Sequence, residues 1–300
     1  MNKKDLISHK IKHNNETVLI TGGNSGIGKA FISLLLQEEY KVIFTVRSKE
    51  KGEATIKEFN NLYPNCNLSY MLLDLSSLNS INNFAKEIID NKIDIYHFYH
   101  NAGIFRIPYS KDEEGLEINT KTNFFSPYIL NEKLMPYFVT LDHKVHINFT
   151  FSLTTYFYHL NYQELNPTKQ YGKMKTYART KIMIVHYYYY LMKKYDSTNL
   201  RFTLSHPGAT YTSLIDKGYR INWFKHIATV FMKLVFHTPL KASYTYLLSL
   251  KEENDANHYI CPRGLIELSG YPKYKKLRSK QYNNYEVTIE KTKELLKNHL

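Results

Sequence analysis

Tyrosine and lysine residues spaced four apart could carry acid–base chemistry in this 300-residue chain. Side chains at positions i and i+4 lie on the same helix face, so an ammonium there can stabilise a phenolate. A free tyrosine titrates near ~10, and a neighbouring ammonium lowers its pKa toward the range of a useful acid–base group. The chain has 27 tyrosines, and five pairs show this spacing: Tyr171/Lys175, Tyr177/Lys181, Tyr189/Lys193, Tyr190/Lys194 and Tyr271/Lys275.

A glycine-rich turn, Thr21 to Gly28, lies between two apolar segments. The preceding run, Thr17–Ile20, predicts a buried strand, and the following apolar run predicts a helix. A helix N-terminus directs unpaired amides and a partial positive charge at an anion, so this arrangement can bind phosphate. Gly22 permits the tight turn, Gly26 lets the backbone approach a pyrophosphate, and Gly28 lets the helix pack close to the sheet. The turn therefore predicts a dinucleotide site.

The spacing of these glycines resembles that of one enzyme family. The pattern T-G-x-x-x-G-x-G is similar to the turn of the short-chain dehydrogenase/reductase family. Asn101-Ala102-Gly103 resembles the N-N-A-G motif of that family, with His100 in the first place. Pro207-Gly208 resembles the beginning of its P-G-x-x-x-T motif, which Thr212 completes. We therefore identify the chain as similar to this family, in its retinol-dehydrogenase-like branch.

The resemblance, which covers about residues 15–270, implies a domain organisation as well as a fold. Residues 16–300 are expected to form a single α/β domain with a Rossmann-type, doubly wound parallel sheet. Residues 1–15 are expected to be a mobile lead-in, and the substrate-binding region is expected at about 213–240.

The resemblance also assigns the catalytic roles. In the family a Tyr–Lys pair transfers the proton, and Tyr177/Lys181 lies 25 residues after Ser152, as in the retinol-dehydrogenase-like branch. Tyr177 is thus the expected general acid/base, Lys181 lowers its pKa and holds the ribose, and Asn123 links the lysine to solvent through water. Tyr171, which Gly172 follows, is the main alternative to Tyr177.

The fifth predicted strand leaves the position of the catalytic serine open. The family usually ends this strand in two serines, the second of them catalytic, and here Phe151-Ser152 occupies that place. Ser152 is the expected donor of a hydrogen bond to the substrate oxygen. Thr150 is the alternative, because a shift of two residues keeps the same strand face.

The end of the second predicted strand favours NADP(H) over NAD(H). An NAD site places a carboxylate about 20 residues past the glycine turn, and this chain has Arg47 there instead. A guanidinium pairs well with a ribose 2′-phosphate. The resemblance further places Asp74 at the adenine pocket, with Ser76 or Ser77 free to cap the next helix.

The remaining cofactor contacts follow from the same resemblance, with Thr212 on the nicotinamide amide. The complete expected dinucleotide-binding set is Gly22, Asn24, Ser25, Gly26, Ile27, Gly28, Arg47, Asp74, Leu75, Asn101, Ala102, Gly103, Tyr177, Lys181, Pro207, Gly208 and Thr212.

These side chains need a set of parallel strands to position them. Short apolar or β-branched runs predict those strands, and helical runs alternate with them. The predicted strands are Thr17–Ile20, Lys41–Val46, Leu68–Leu73, Ile93–Tyr99, Lys144–Ser152, Leu200–Ser205 and Tyr259–Ile260.

Composition excludes several classes of protein. A hydrophobic fraction of 43% and a charged fraction of 22% argue against global disorder. Two cysteines, Cys66 and Cys261, provide neither a disulfide framework nor metal-ligand spacing. A polar N-terminus without a signal-peptide pattern, and no apolar window of about 18 residues, predict a cytoplasmic protein.

The net charge of +13 and the aromatic segments raise the question of partners. No nucleic-acid-binding module accompanies the charge, and the resemblance implies a small carbonyl or alcohol substrate as the partner. The segment from 223 to 236 could line a lipophilic pocket or contact a membrane surface peripherally. Tyr187–Tyr190 could form a homodimer contact or pack in the core. The resemblance implies an NADP(H)-dependent oxidoreductase that interconverts a carbonyl and an alcohol. A non-catalytic NADP(H)-binding sensor is the alternative.

Overall fold

The computed structural model describes residues 16–105, 107–169, 172–210, 237–251 and 257–299. Its strands are β1 (Thr17–Ile20), β2 (Lys41–Val46), β3 (Leu68–Leu72), β4 (His97–His100), β5 (Val145–Thr150), β6 (Leu200–Ser205), β7 (His258–Pro262) and β8 (Pro272–Lys276). They form one sheet in the order β3-β2-β1-β4-β5-β6-β7-β8. Neighbouring strands are parallel, except that β7 and β8 are antiparallel.

The helices alternate with these strands along the chain. The α-helices are α1 (Gly26–Gln37), α2 (Lys49–Leu62), α3 (Leu78–Asp90), α4 (Ile118–Thr120), α5 (Ser126–Val139), α6 (Lys173–Lys194), α7 (Pro239–Lys251) and α8 (Tyr285–Leu295). A π-helical segment, Lys121–Phe125, connects α4 to α5.

Helices cover both faces of the sheet. The buried side chains of α1 and α7 form one core with β1 and β2, and Phe31 and Tyr246 belong to it. The buried side chains of α3, α5 and α6 form the other core, which contains Phe84 and Tyr187. Because both faces are covered, β1 and β2 are almost continuously apolar, as buried parallel strands are. The predicted doubly wound α/β fold is confirmed.

The strand order reverses beside β1. After β1 the chain builds outward through β2 to β3, and then returns to place β4 on the other side of β1. In open α/β sheets, ligands bind outside the carboxyl ends of the strands at such a reversal. The glycine turn follows β1, and Asn101 follows β4, so both lie at this position.

Two strands differ most from the sequence prediction. β4 begins at His97 and not at Ile93, because the Ile93 amide bonds to the Ile88 carbonyl and thereby extends the end of α3. β8 was not predicted; it carries lysines at 273, 275 and 276 and therefore lacks an apolar signal. Lysine and an initial proline are typical of a strand at the edge of a sheet.

The tyrosine run on α6 is packed within the chain. Tyr187 and Tyr188 are buried, and the Tyr189 ring stacks on Tyr282 with centroids 4.1 Å apart. Core packing, the alternative to a dimer contact, accounts for these three residues. None of the helices in the described ranges is long and apolar enough to cross a membrane.

Candidate active site

The glycine turn is held against the end of β4 by main-chain and side-chain hydrogen bonds. The Asn101 amide group donates to the carbonyls of Thr21 at 2.9 Å and Gly22 at 3.1 Å. The Thr21 hydroxyl accepts from the backbone amides of Asn101 and Ala102. Gly22 has a φ of +70°, and a Cβ on Gly28 would lie 2.6 Å from the Asn101 amide nitrogen and from the Gly22 carbonyl. The turn therefore requires glycine at both positions.

The N-terminus of α1 faces outward from this turn. Ser25 occupies the N-cap position with extended backbone, and within the described part of the chain its side chain makes no capping hydrogen bond. Ser25 is exposed, while Asn24, Gly26 and Ile27 are partly exposed. The first turn contains no acidic residue. This helix end can therefore receive an anion.

Two further predicted contacts lie at the ends of β2 and β3. Arg47 follows β2 directly and is exposed. The Asp74 carboxylate accepts hydrogen bonds from the backbone amide and hydroxyl of Ser76, at 2.9 and 2.7 Å. Ser77, and not Asp74, caps α3. Leu75 is buried, with its carbonyl bonded to the Ser126 hydroxyl at 2.5 Å.

Asn123 lies in the π-helical segment, where the regular helical hydrogen bonding is interrupted. Its side-chain oxygen accepts from the Ile104 amide at 2.8 Å, and its nitrogen donates to the Ile104 carbonyl at 2.9 Å. These bonds tie the segment after Gly103 to the wide helical turn. π-Helical turns are frequent at functional sites. This turn therefore keeps Asn123 as a candidate site residue.

Ser152, Tyr177 and Lys181 are brought together at the carboxyl end of β5. The Ser152 side chain lies close enough to the Tyr177 phenol to lower its pKa. The Lys181 amine lies 5.6 Å from the centroid of the Tyr177 ring and donates to the carbonyl of Thr150 at 2.8 Å. The Thr150 hydroxyl is bonded to Tyr246 at 2.7 Å. The Thr150 hydroxyl thus has its partner on α7, while Ser152 is the hydroxyl that acts on the Tyr177 pKa.

Burial is the main influence on the pKa values of Tyr177 and Lys181. Burial raises the pKa of Tyr177 to about 12, and the hydrogen bond with Ser152 acts in the opposite direction. Burial also lowers the pKa of Lys181 to about 8. The expectation that Lys181 lowers the Tyr177 pKa is therefore not met in the protein alone. The reason is geometric, because the ammonium contacts the Thr150 carbonyl and the ring face.

The His100 side chain is held in place by contacts with Phe149 and Asn131. Its ring is buried, stacks on Phe149 with centroids 4.9 Å apart, and bonds to the Asn131 side-chain oxygen at 2.9 Å. Burial lowers the pKa of His100 to about 4, with a smaller contribution from nearby Lys181. The replacement of the family's asparagine by His100 therefore introduces a neutral ring.

The last predicted contacts lie at the end of β6. Pro207 is buried, and Gly208 has a φ of +82°, with the position of its missing Cβ 2.7 Å from the Leu268 carbonyl. Thr212, the predicted nicotinamide contact, and the segment 223–236 lie outside the described residues. Tyr246 was missed, because one buried tyrosine among 27 carries no local signal.

Comparison with known proteins identifies the family. The sequence matches the family described as short chain dehydrogenase over residues 16–220. This chain belongs to that family. It is 28% identical to Retinol dehydrogenase 13 of Homo sapiens over 242 residues, which cover 79% of this chain and 73% of that protein. It is also 28% identical to Retinol dehydrogenase 14 of Mus musculus over 244 residues, 77% of this chain and 72% of that protein.

Solved structures show the same short-chain dehydrogenase fold. An uncharacterized protein from Mycobacterium Paratuberculosis matches with a TM-score of 0.73 at 21% identity, over 94% of this chain and 93% of that one. A short-chain dehydrogenase from Sphingobium yanoikuyae, solved in complex with NADPH, matches with a TM-score of 0.60 at 17% identity, over 78% and 84%. As a member of the family, the chain is an oxidoreductase whose fold binds a nicotinamide cofactor.

Proposed function

We propose that this protein is an NADP(H)-dependent oxidoreductase that interconverts a carbonyl and an alcohol on a small or lipophilic substrate. The observation that carries the proposal is that the Tyr177 phenol lies beside both the Ser152 side chain and the Lys181 amine. This group lies at the same edge of the sheet as the glycine turn. The Ser152 and Tyr177 hydroxyls can both donate to one substrate oxygen.

Each side chain has a distinct task in this proposal. Ser152 donates a hydrogen bond to the substrate oxygen, which gains negative charge during reduction. Tyr177 gives that oxygen its proton in reduction and takes it back in oxidation. With a pKa of about 12, the phenol is protonated at neutral pH and is ready to act as an acid. Lys181 is charged below a pH of about 8, and in this proposal it stabilises the phenolate once the dinucleotide is bound, an effect that is absent in the protein alone.

The residues of the first βα turn fit a dinucleotide. A Cβ at Gly28 would collide with Asn101, so the missing side chain lets α1 approach the turn closely. The N-terminus of α1 can hold the pyrophosphate, and Asn101-Ala102-Gly103 can line the groove beside it. When bound, the nicotinamide supplies or accepts the hydride.

Two observations support NADP(H) and a lipophilic substrate. Arg47 is exposed at the end of β2, where it can pair with a 2′-phosphate. The names of the curated relatives, retinol dehydrogenases, suggest an alcohol on a long apolar molecule.

The test is a carbonyl panel with NADPH, using purified wild-type protein and Tyr177→Phe. We expect the variant to lose at least about 10³-fold in kcat/KM, because it cannot transfer the proton. Tyr189→Phe is the matched control, since Tyr189/Lys193 has the same spacing on the same helix. Undiminished turnover in Tyr177→Phe would remove the proposed mechanism. NADPH binding without turnover by the wild type would instead favour a non-catalytic sensor.

A further inference from the structure

Tyr246 approaches the site from the opposite face of the sheet. It lies on α7, whereas Lys181 lies on α6 in the other core. The Tyr246 side chain is fully buried, and its ring packs edge-on against Phe31 with centroids 5.3 Å apart. Its hydroxyl is 2.7 Å from the Thr150 hydroxyl and 3.1 Å from the Asn101 side-chain oxygen. A single buried hydroxyl therefore joins the carboxyl ends of β4 and β5.

The directions of these hydrogen bonds follow from Asn101. Because the Asn101 nitrogen donates to the carbonyls of Thr21 and Gly22, its oxygen is left as an acceptor. The Tyr246 hydroxyl has one proton and donates it to that oxygen. Thr150 must then donate its own hydroxyl proton to Tyr246. That proton is committed to Tyr246, which leaves the Ser152 hydroxyl to serve a substrate.

Thr150 extends the connection to the catalytic lysine. Its hydroxyl is bonded to Tyr246, and its carbonyl accepts from the Lys181 amine at 2.8 Å. The path runs without interruption from the Gly22 carbonyl through Asn101, Tyr246 and Thr150 to Lys181. Each member is buried or partly buried, so water does not readily replace these bonds.

We infer that Tyr246 is a positioning residue that fixes Lys181 through Thr150 and couples it to the glycine turn. The inference rests on the proposed function, in which the Lys181 ammonium stabilises the Tyr177 phenolate. A misplacement of about 1 Å in a catalytic group can cost about 10²-fold in rate. One hydroxyl distant from the substrate can thus govern turnover.

Tyr246→Phe keeps the ring and removes only this hydroxyl. We expect kcat for carbonyl reduction to fall by about 10- to 100-fold, with KM for the carbonyl changed by less than about threefold. Thr150→Val should have a similar effect, and the double variant should be no worse than either single one, because both break the same path. Tyr187→Phe, which removes another buried, bonded hydroxyl on α6, is the matched control and should retain its kcat.

A second readout needs no dinucleotide. Burial lowers the pKa of Lys181 to about 8, and the titratable groups near it in the described part of the chain include Tyr177 and His100. If Tyr246→Phe loosens the lysine and admits water, NMR titration of labelled lysine amines should show the Lys181 pKa rising in the variant. Tyr187→Phe should leave it unchanged.

The outcomes separate the inference from the proposed function. Wild-type kcat and an unchanged Lys181 titration in Tyr246→Phe, together with an inactive Tyr177→Phe, would overturn the inference alone. If Tyr177→Phe keeps full activity, the proposed function itself fails. A fall in kcat that is matched by Tyr187→Phe would indicate general destabilisation and would also overturn the inference.

Discussion

The two halves of the site are built in different ways. Around β1 and β4, small residues and main-chain groups define the geometry, and Asn101 bonds to the carbonyls of Thr21 and Gly22. Around β5, side chains from distant segments meet: Ser152 contacts Tyr177, and Thr150 bonds to Tyr246, 96 residues further along. The first half depends on local backbone conformation, whereas the second depends on long-range side-chain contacts.

This difference explains how strand five can depart from the family pattern. Phe151 takes the place of the usual first serine and is buried against the Tyr259 ring, with centroids 5.0 Å apart at 90°. β5 ends at Thr150, but the Phe151 amide still bonds to the Ser205 carbonyl of β6 at 3.0 Å, and Ser152 follows it. Ser152 then reaches Tyr177 from the start of a 3₁₀ turn. A side-chain site can therefore accept a change that a glycine turn cannot.

After Tyr177→Phe, Lys181→Met should produce the largest effect in the side-chain half, with rate and stability changing in opposite directions. Removing the ammonium that supports Tyr177 should lower kcat by about 10²- to 10³-fold. Lowering the lysine pKa from 10.5 to about 8 corresponds to a destabilisation of about 3 kcal/mol at neutral pH. The variant should therefore unfold at a higher temperature. Kinetics and calorimetry at pH 7 measure both changes.

The pH dependence of stability provides the control for this variant. Between about pH 8 and 10.5 the unfolded chain binds the Lys181 proton more tightly than the folded protein does. The wild-type free energy of unfolding should rise with pH across that window, and Lys181→Met should lose this contribution. A variant less stable than the wild type at pH 7 would show that the amine stabilises the fold.

Gly28→Ala should have the next largest effect, and it tests the main-chain half. The added Cβ would lie 2.6 Å from the Asn101 nitrogen and the Gly22 carbonyl, both of which are fixed by hydrogen bonds. We expect NADPH binding, followed by fluorescence, to weaken by about 100-fold, with about 1–3 kcal/mol of lost stability. Gly172→Ala is the control, because no described atom lies within 4 Å of its Cβ position. Unchanged binding in Gly28→Ala would exclude the turn as the dinucleotide site.

The contrast between the halves also marks the limit of prediction from sequence. β1, β2 and β6 were predicted with their observed bounds, because periodicity and turn residues are local signals. Capping residues are also a local signal: the sequence offers Ser76 or Ser77 as the cap of α3, and Ser77 is the cap. β8 and Tyr246 were missed, because an edge strand and a buried hydroxyl are defined by partners far away in the chain. The choice between Thr150 and Ser152 likewise depended on Tyr246.

Arg47→Ala should have a smaller effect, confined to the phosphate of the cofactor. Its loss removes a charge-assisted contact, so NADPH affinity should fall by about 10-fold while NADH affinity stays the same. Because Arg47 is exposed, the difference should shrink as salt is added. Lys57→Ala, an exposed lysine on the neighbouring α2, controls for net charge. Equal losses for both dinucleotides would contradict an NADP-specific role.

The smallest expected effect is a decline of carbonyl reduction above a pH of about 8, the pKa to which burial lowers Lys181. Below this pH the amine is charged and Tyr177, with a pKa of about 12, is protonated, so both are in the reactive form. Above it the ammonium is lost first, and kcat should fall several-fold by about pH 9. Lys181→Met should show a low but flat profile over the same range. A wild-type profile that stays flat to pH 10 would mean that the lysine charge is not used, and the rate would then depend on the Ser152 and Tyr177 hydroxyls alone.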